Sequence, residues 1–183
     1  IPAFGGVVHG TFASSLLGLQ TEMRKHKIDH RISWVFNESL IPRARDRLAT
    51  DFLASDADCL QFLDSDLEFS PSELVLQLRH VLGAYRDAAG AGPLIAAGSY
   101  PAKTYIREGI DAAADAGIRG SGLLESGLRY VTNIRGTQEN TTVVAAGNSI
   151  VDAWFYAGGT YVLAESLPTG LLTVHKSVLE KLS

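Results

Sequence analysis

The chain has 183 residues, of which 46% are hydrophobic and 20% are charged, proportions that are ordinary for one folded domain. A single cysteine, Cys59, excludes an internal disulfide framework and a zinc site built from several cysteines. Sixteen basic and twenty acidic residues leave a net charge of −4, which argues against a nucleic-acid-binding surface. No apolar run approaches the ~18 residues of a membrane span, so we expect a soluble, cytoplasmic protein. Because the chain begins at Ile1 without a methionine, we also expect its natural N-terminus, with any targeting segment, to lie upstream.

Apolar periodicity and turn residues alternate along the first half of the chain. Residues 1–6 predict the end of a strand that runs into a glycine loop. The segments predicted after it are a helix over 11–26, a strand over 31–36, a helix that begins near Pro42, a strand over 59–63, a helix that begins at Ser70–Glu73 and a strand over 94–97. This alternation favours right-handed crossovers and an α/β fold with a mainly parallel central sheet flanked by helices.

The second half of the chain carries weaker patterns. They predict a short helix over 110–117, strands over 130–134, 161–164 and 171–174, a polar loop over 136–147 and a closing helix over 177–182. The aromatic run 154–156 suits packing better than sugar stacking, because packing is the commoner use of such residues. We expect one domain over 1–183.

Three acidic residues, Asp64, Asp66 and Glu68, follow the predicted strand 59–63. If the backbone stays extended, their side chains point to one side, where like charges at ~4 Å repel by roughly 4 kcal/mol at an effective dielectric of 20. A divalent cation would offset this repulsion, and carboxylate oxygens suit Mg²⁺ or Mn²⁺. A solvated acidic turn is the alternative, since Asp and Ser favour turns. Because open α/β sheets bind ligands beyond the carboxyl ends of their strands, metal binding is the favoured interpretation.

Three arginines, Arg43, Arg45 and Arg47, occupy the start of a predicted helix, where the helix dipole favours negative charge instead. A bound phosphate would resolve the conflict, because free backbone N–H groups and guanidinium groups both bind it. The alternative is a solvated basic face paired with Asp46 and Asp51. A metal-binding acidic cluster together with an anion-binding basic cluster would suit a nucleoside diphosphate.

Four short segments occur in a fixed order along the chain. They are Ile-Pro-Ala-Phe-Gly-Gly at 1–6, Asn-Glu-Ser-Leu-Ile-Pro-Arg-Ala-Arg-Asp at 37–46, Phe-Leu-Asp-Ser-Asp at 62–66 and Gly-Ser-Tyr-Pro-Ala-Lys at 98–103. Together they resemble the GT-A-fold glycosyltransferases of bacteriophages and other viruses, which are distantly similar to a family of fungal mannosyltransferases. Residues 168–172 and 177–179 also resemble a later strand and helix of that family.

The resemblance implies a hexosyl transfer from a nucleotide-sugar donor, a UDP- or GDP-sugar, to a hydroxyl of a glycan or another acceptor. It implies Mn²⁺ or Mg²⁺ as cofactor, with Asp64 and Asp66 as metal ligands that also serve catalysis alongside Lys103. The donor-binding residues that it implies are Pro2, Ala3, Phe4, Gly5, Arg43, Arg45, Asp64, Ser65 and Tyr100. It further implies a nucleotide-sugar-binding half over 1–104 and an acceptor-side half over 105–183 that is incomplete at its C-terminal end, in a protein of viral or bacterial type.

Several alternatives stay open. Asp-x-Asp at a strand end also occurs in haloacid-dehalogenase-like phosphohydrolases, although these favour Thr or Val where this chain has Glu68. A non-catalytic module that binds nucleotide sugars is a third possibility. An inverting transfer would need a carboxylate base, for which Glu68, Glu165 and Asp152 are the candidates. Cys59 begins an apolar strand without a basic neighbour, so we expect it to be unreactive.

Overall fold

The computed structural model describes residues 1–87, 95–98, 101–126, 128–130, 133–134, 153–157, 160–167 and 169–182, and its architecture is mixed α/β. The helices are α1 Gly10–Lys25, α2 Ile41–Leu53, α3 Pro71–Asp87, α4 Arg107–Asp115, α5 Ser121–Glu125 and α6 Lys176–Glu180. The strands are β1 Pro2–Ala3, β2 Val35–Phe36, β3 Cys59–Leu63, β4 Ile95–Gly98, β5 Pro101–Tyr105, β6 Leu128–Tyr130, β7 Asn133–Ile134, β8 Ala153–Ala157, β9 Thr160–Ser166 and β10 Leu171–His175.

The elements predicted for the first half are confirmed, with one strand shorter than expected. Helix α1 buries Phe12, Leu19 and Met23, and α2 buries its own stripe at i, i+4 and i+8. Strand β3 has the predicted bounds, and α3 begins at Pro71 as the capping pattern indicates. Strand β2 covers only residues 35–36 of the predicted 31–36, because only these two residues pair with β1.

The core lies on both faces of β3, because successive side chains of a strand point to opposite faces. Leu63 packs into a cluster formed mainly by α1 and α3, whereas Phe62 packs into a second cluster with Ala44 and Leu48 of α2. Helices α1 and α3 therefore cover one face of this strand and α2 covers the other. Side-chain alternation in β10 agrees, since Leu171 and Leu172 contact the first and second clusters respectively.

The prediction of a mainly parallel sheet is wrong for the described strands. The largest sheet has the order β3-β10-β4-β8-β9-β7, and within it only β4 and β8 pair in parallel. Strands β3 and β4 do run in the same direction, as a crossover through α3 requires, but β10 inserts between them and is antiparallel to both. Strands β8 and β9 also pair antiparallel, and β1 with β2 forms a separate parallel pair. The regions 1–104 and 105–183 consequently share one sheet.

A buried polar chain holds β10 between its neighbours. The Gln77 side chain of α3, 1% exposed, donates from Nε2 to the Ala96 carbonyl at 2.9 Å and to Thr173 Oγ1 at 2.8 Å. The Thr173 hydroxyl, 0% exposed, donates in turn to Gln61 Oε1. These bonds join α3, β4, β10 and β3, and buried polar groups of this kind specify one register when all are satisfied.

The second half contains the predicted short helix, as α4, and the predicted strands at β9 and β10. The region predicted as one strand over 130–134 is divided between β6 and β7, and the closing helix is α6. The aromatic run 154–156 lies in β8, which periodicity did not predict. The loop predicted over 136–147 lies outside the described residues. No helix among the described residues is long and apolar enough to cross a membrane.

Candidate functional site

Three segments that are distant in sequence meet at the carboxyl end of β3. Asp64 follows β3 directly, and its backbone N–H donates to the Gly170 carbonyl at 2.8 Å in the turn before β10. Arg45 reaches the same place from α2, where its Nη2 lies 2.8 Å from Asp64 Oδ1. The Arg45 Nη1 donates to the Thr169 hydroxyl. Arg45, Asp64 and Thr169 thus form one contact group at the edge where ligands bind in open α/β folds.

Arg45 is the most constrained side chain of this group. It is 19% exposed, and its guanidinium carbon lies 6.0 Å from the centre of the Phe62 ring. Its Nε is buried and has no hydrogen-bond partner among the described residues. One donor of the five in the guanidinium fork therefore has no acceptor among the described residues.

The acidic segment does not continue as an extended strand. The Leu67 N–H donates to the Asp64 carbonyl at 3.3 Å, so residues 64–67 form a turn. The extended backbone on which a shared side for Asp64, Asp66 and Glu68 depended is therefore not present. Asp64 and Asp66 lie within this turn and are both half-buried, whereas Glu68 is exposed.

Two of the three arginines that the sequence grouped together have different surroundings. Arg43 is 67% exposed, and its Nη1 lies 3.5 Å from Glu38 Oε2. The other carboxylate oxygen of Glu38, Oε1, accepts the Leu40 N–H at 3.1 Å. Arg43 is thus at the surface, as the solvated-face alternative expected, but its ion pair is with Glu38 and not with Asp46 or Asp51. Arg45 contacts the acidic segment instead, so these two neighbours differ in what they can contribute to a ligand.

The glycine loop after β1 adjoins the acidic turn. Gly5 and Gly6 have φ of +70° and +68°, a left-handed conformation that glycine adopts without a steric penalty. The loop leads to His9, whose N–H donates to the Ser65 carbonyl at 3.0 Å. Of the donor-binding residues expected in this segment, Pro2 and Ala3 have buried side chains, whereas Phe4 and Gly5 are exposed and offer a surface to a ligand.

An exposed apolar surface accompanies this loop, and sequence reasoning did not predict it. Phe4 is 65% exposed and Phe36, at the end of the neighbouring β2, is 54% exposed. The Phe36 ring is stacked on Trp34, with ring centres 5.7 Å apart and planes inclined by 6°. Phe36 was predicted only as the end of a strand, because alternation alone cannot tell a buried aromatic residue from an exposed one. Large exposed aromatic residues at a strand end suit a planar apolar ligand.

For four other predicted site residues, the structure does not describe the residue or its side chain. Tyr100 and Asp152 lie outside the described residues. Lys103 lies in β5, which pairs with β6, and Glu165 lies in β9; the side chains of both lie outside the described part of the structure. Their contacts with the acidic turn therefore stay predictions.

Cys59 and His175 face each other at the start of β3, at the opposite end of that strand from Asp64. Burial, with a smaller effect of Asp58, raises the pKa of the Cys59 thiol to about 12. The predicted lack of reactivity follows from this shift, because the thiolate is the reactive form. Burial lowers the pKa of His175, whose Nδ1 accepts the Ser177 N–H at 3.2 Å. His175 thus caps the start of α6, whereas Cys59 packs against the first core cluster.

Asp64 and Asp66 are the side chains of the acidic turn that could hold a divalent cation, and they would need further ligands, such as phosphate oxygens, to complete its coordination. Asp64 and Asp66 supply the carboxylate oxygens that Mg²⁺ and Mn²⁺ prefer. Among the described residues, no group of three or more His, Cys, Asp or Glu side chains could hold a metal ion. Mg²⁺ commonly takes only one or two protein carboxylates and completes its coordination with substrate phosphates and water.

Comparisons of this chain with protein-family models, curated proteins and solved structures give no match. The resemblance to GT-A glycosyltransferases therefore depends on the four motifs alone. Three of them contribute to the site just described: the loop at 1–6, the helix start at 37–46 and the turn at 62–66.

Proposed function

We propose that this protein is a metal-dependent glycosyltransferase, which transfers a hexosyl group from a UDP- or GDP-sugar to an acceptor hydroxyl. One observation carries the proposal: the Arg45 guanidinium and the Asp64 carboxylate lie side by side at the carboxyl end of β3. A nucleoside diphosphate bound through a cation needs a carboxylate to hold the cation and a guanidinium to bind the phosphate oxygens. The motif resemblance supports the same activity.

A bound Mn²⁺ or Mg²⁺ would act as a Lewis acid that stabilises the charge of the departing diphosphate. Asp64 and Asp66 would hold the cation through carboxylate oxygens. Arg45 would donate to the diphosphate through a guanidinium that Phe62 and Thr169 already orient. The Arg45 side chain is only 19% exposed. Solvent and salt therefore screen its interaction with a phosphate less than they would screen that of a surface arginine.

The apolar surface after β1 and β2 supports a nucleoside as part of the ligand. Phe4 and Phe36 are exposed aromatic residues, and the loop that carries Phe4 is joined to the acidic turn by the bond from His9 to Ser65. A base that contacts these rings would place its diphosphate toward Asp64. The glycines at 5 and 6 leave the backbone of this loop open to close approach.

Thermal unfolding with and without a divalent cation tests the proposal. Because a ligand that binds only the native state stabilises it, UDP or GDP at one hundred times its dissociation constant should add roughly 2.7 kcal/mol. For a chain of this size that corresponds to about 5–10 °C in Tm. We expect this shift with Mn²⁺ or Mg²⁺ and not with EDTA, and we expect Asp66→Asn to abolish it. Asp51→Asn, at an exposed position on α2, is the matched control.

Incubation with donor sugars then separates the remaining activities. Transfer to an acceptor, or slow release of free sugar from the donor, supports a glycosyltransferase. Binding without transfer or release indicates a non-catalytic module, and phosphate release from a phosphomonoester indicates a phosphohydrolase. Equal stabilisation by UDP in EDTA and in Mn²⁺ would refute the dependence on metal.

A further inference from the structure

Arg45 contacts the same carboxylate that the proposed function assigns to the cation. Its Nη2 lies 2.8 Å from Asp64 Oδ1, the distance of a charge-assisted hydrogen bond. The exposed fractions of the two side chains are 19% and 31%, so the pair is partly shielded from solvent and from salt. Without a ligand, Arg45 is therefore the counter-ion of Asp64.

Arg45 weakens the attraction of Asp64 for a divalent cation. A carboxylate can hold a cation through its second oxygen, so Arg45 does not block Asp64, but it takes one acceptor position of Oδ1 and its positive charge offsets the charge of the carboxylate. A cation placed beside the carboxylate would also lie close to the guanidinium, and like charges repel strongly where solvent screening is weak. Metal binding to Asp64 is thus opposed until the guanidinium moves or finds an anion.

A diphosphate supplies what would release Asp64. The buried Nε of Arg45 has no partner among the described residues, and Nη1 is held only by the neutral Thr169 hydroxyl. Phosphate oxygens are strong acceptors for a guanidinium fork and often bind two of its donors at once. The phosphate oxygens of a diphosphate therefore replace Asp64 as acceptors of the Arg45 guanidinium. The negative charge of the diphosphate also offsets the repulsion between Arg45 and the cation.

Building on the proposed function, we propose that Arg45 competes with the divalent cation for Asp64, so that cation and diphosphate bind cooperatively and the cation alone binds weakly. In this arrangement Arg45 controls the affinity of a metal ligand for the cation in addition to binding the diphosphate. Thermodynamic reciprocity then requires the cation to strengthen diphosphate binding by the same factor.

Electron paramagnetic resonance of free Mn²⁺ measures cation binding directly, without nucleotide and without any assay of activity. We expect Arg45→Gln to lower the dissociation constant for Mn²⁺ at least tenfold, because the competing charge is gone. Arg45→Lys retains a positive charge and should stay near the wild-type value. Arg47→Gln is the matched control, an exposed arginine two residues further along the same helix, and should change Mn²⁺ binding less than twofold.

A variant outside Arg45 keeps the test decisive if Arg45→Gln does not fold. Thr169→Val, at an exposed turn position, removes the second anchor of the guanidinium and should also tighten Mn²⁺ binding. Asp64→Asn combined with Arg45→Gln should lose the gain entirely, since the contested carboxylate is absent.

The effect on the diphosphate should have the opposite sign. Arg45→Gln should weaken UDP binding in the presence of Mn²⁺ while it tightens Mn²⁺ binding in the absence of UDP. Unchanged or weaker Mn²⁺ binding in both Arg45→Gln and Thr169→Val overturns the competition, as does the absence of Mn²⁺ binding to every variant. If the competition is observed but no variant responds to UDP or GDP, the proposed function fails instead.

Discussion

Replacement of Thr173 by valine tests the feature that places β10 between β3 and β4. The substitution keeps the branched shape of the side chain and removes only the hydroxyl, which accepts from Gln77 Nε2 at 2.8 Å and donates to Gln61 Oε1. Thr173 is 0% exposed, so water cannot replace the lost partner without a rearrangement. The perturbation is therefore confined to one buried hydrogen-bonding group.

The expected cost follows from which groups are left without a partner. Gln77, 1% exposed, keeps its bond to the Ala96 carbonyl at 2.9 Å, but its second Nε2–H loses Thr173 as its acceptor. Gln61 Oε1 loses the donor that Thr173 supplied. A buried polar group left unsatisfied costs about 1–3 kcal/mol, and we expect the free energy of unfolding to fall by that amount. At about 2–4 °C per kcal/mol for a chain of this length, Tm should fall by several degrees.

Urea unfolding followed by circular dichroism measures this loss, provided that the slope of the transition is unchanged. Thr21→Val is the matched control, because Thr21 is exposed on α1 and its hydroxyl bonds only the Leu17 carbonyl one turn earlier. It should change the free energy of unfolding by less than about 0.5 kcal/mol. Adding Gln61→Leu to Thr173→Val removes the orphaned acceptor, so the double variant should lose less than the sum of the two single variants.

The reasoning is refuted if Thr173→Val and Thr21→Val have the same free energy of unfolding. Strict additivity of Thr173→Val and Gln61→Leu would likewise show that the two side chains are not coupled. Either result would mean that the order β3-β10-β4 is stabilised by apolar packing and backbone pairing, without a contribution from the polar chain.

Three further predictions concern the site and the strand that leads to it. Arg45→Ala should weaken UDP binding in the presence of Mn²⁺ by roughly 1.5–3 kcal/mol, the range for hydrogen bonds to charged groups. Arg43→Ala, at a 67% exposed position, should weaken the same binding by less than about 1 kcal/mol when both are measured by calorimetry. Lys103→Ala should lower transfer or donor hydrolysis at least tenfold, about 1.4 kcal/mol of transition-state stabilisation, without a change in Tm; wild-type turnover would exclude a catalytic role. Burial raises the pKa of the Cys59 thiol to about 12, so the native thiol should resist alkylation by iodoacetamide at pH 8. The urea-unfolded chain should react readily at the same pH, and equal alkylation rates for the native and unfolded chains would contradict the shift.

The sequence by itself determined the elements whose signals are local. The apolar spacing of α1 and α2, the Pro-containing start of α3 and the bounds of β3 all depend on neighbours within a few residues, and the structure agrees with them. Because β3 was predicted with its bounds, Asp64 could also be placed at a strand end.

The tertiary structure alone decided the contacts that make this strand end a candidate site. Arg45 and Thr169 are separated by 124 positions, and β10 inserts antiparallel between two strands that a crossover pattern would have made neighbours. No local propensity distinguishes these pairings, because a short apolar strand satisfies its backbone equally well in either direction. The pairing and direction of these strands are decided by which arrangement covers both faces of the sheet and gives buried groups such as Gln77 their hydrogen-bond partners. Both conditions are met only once distant segments of the chain have come together.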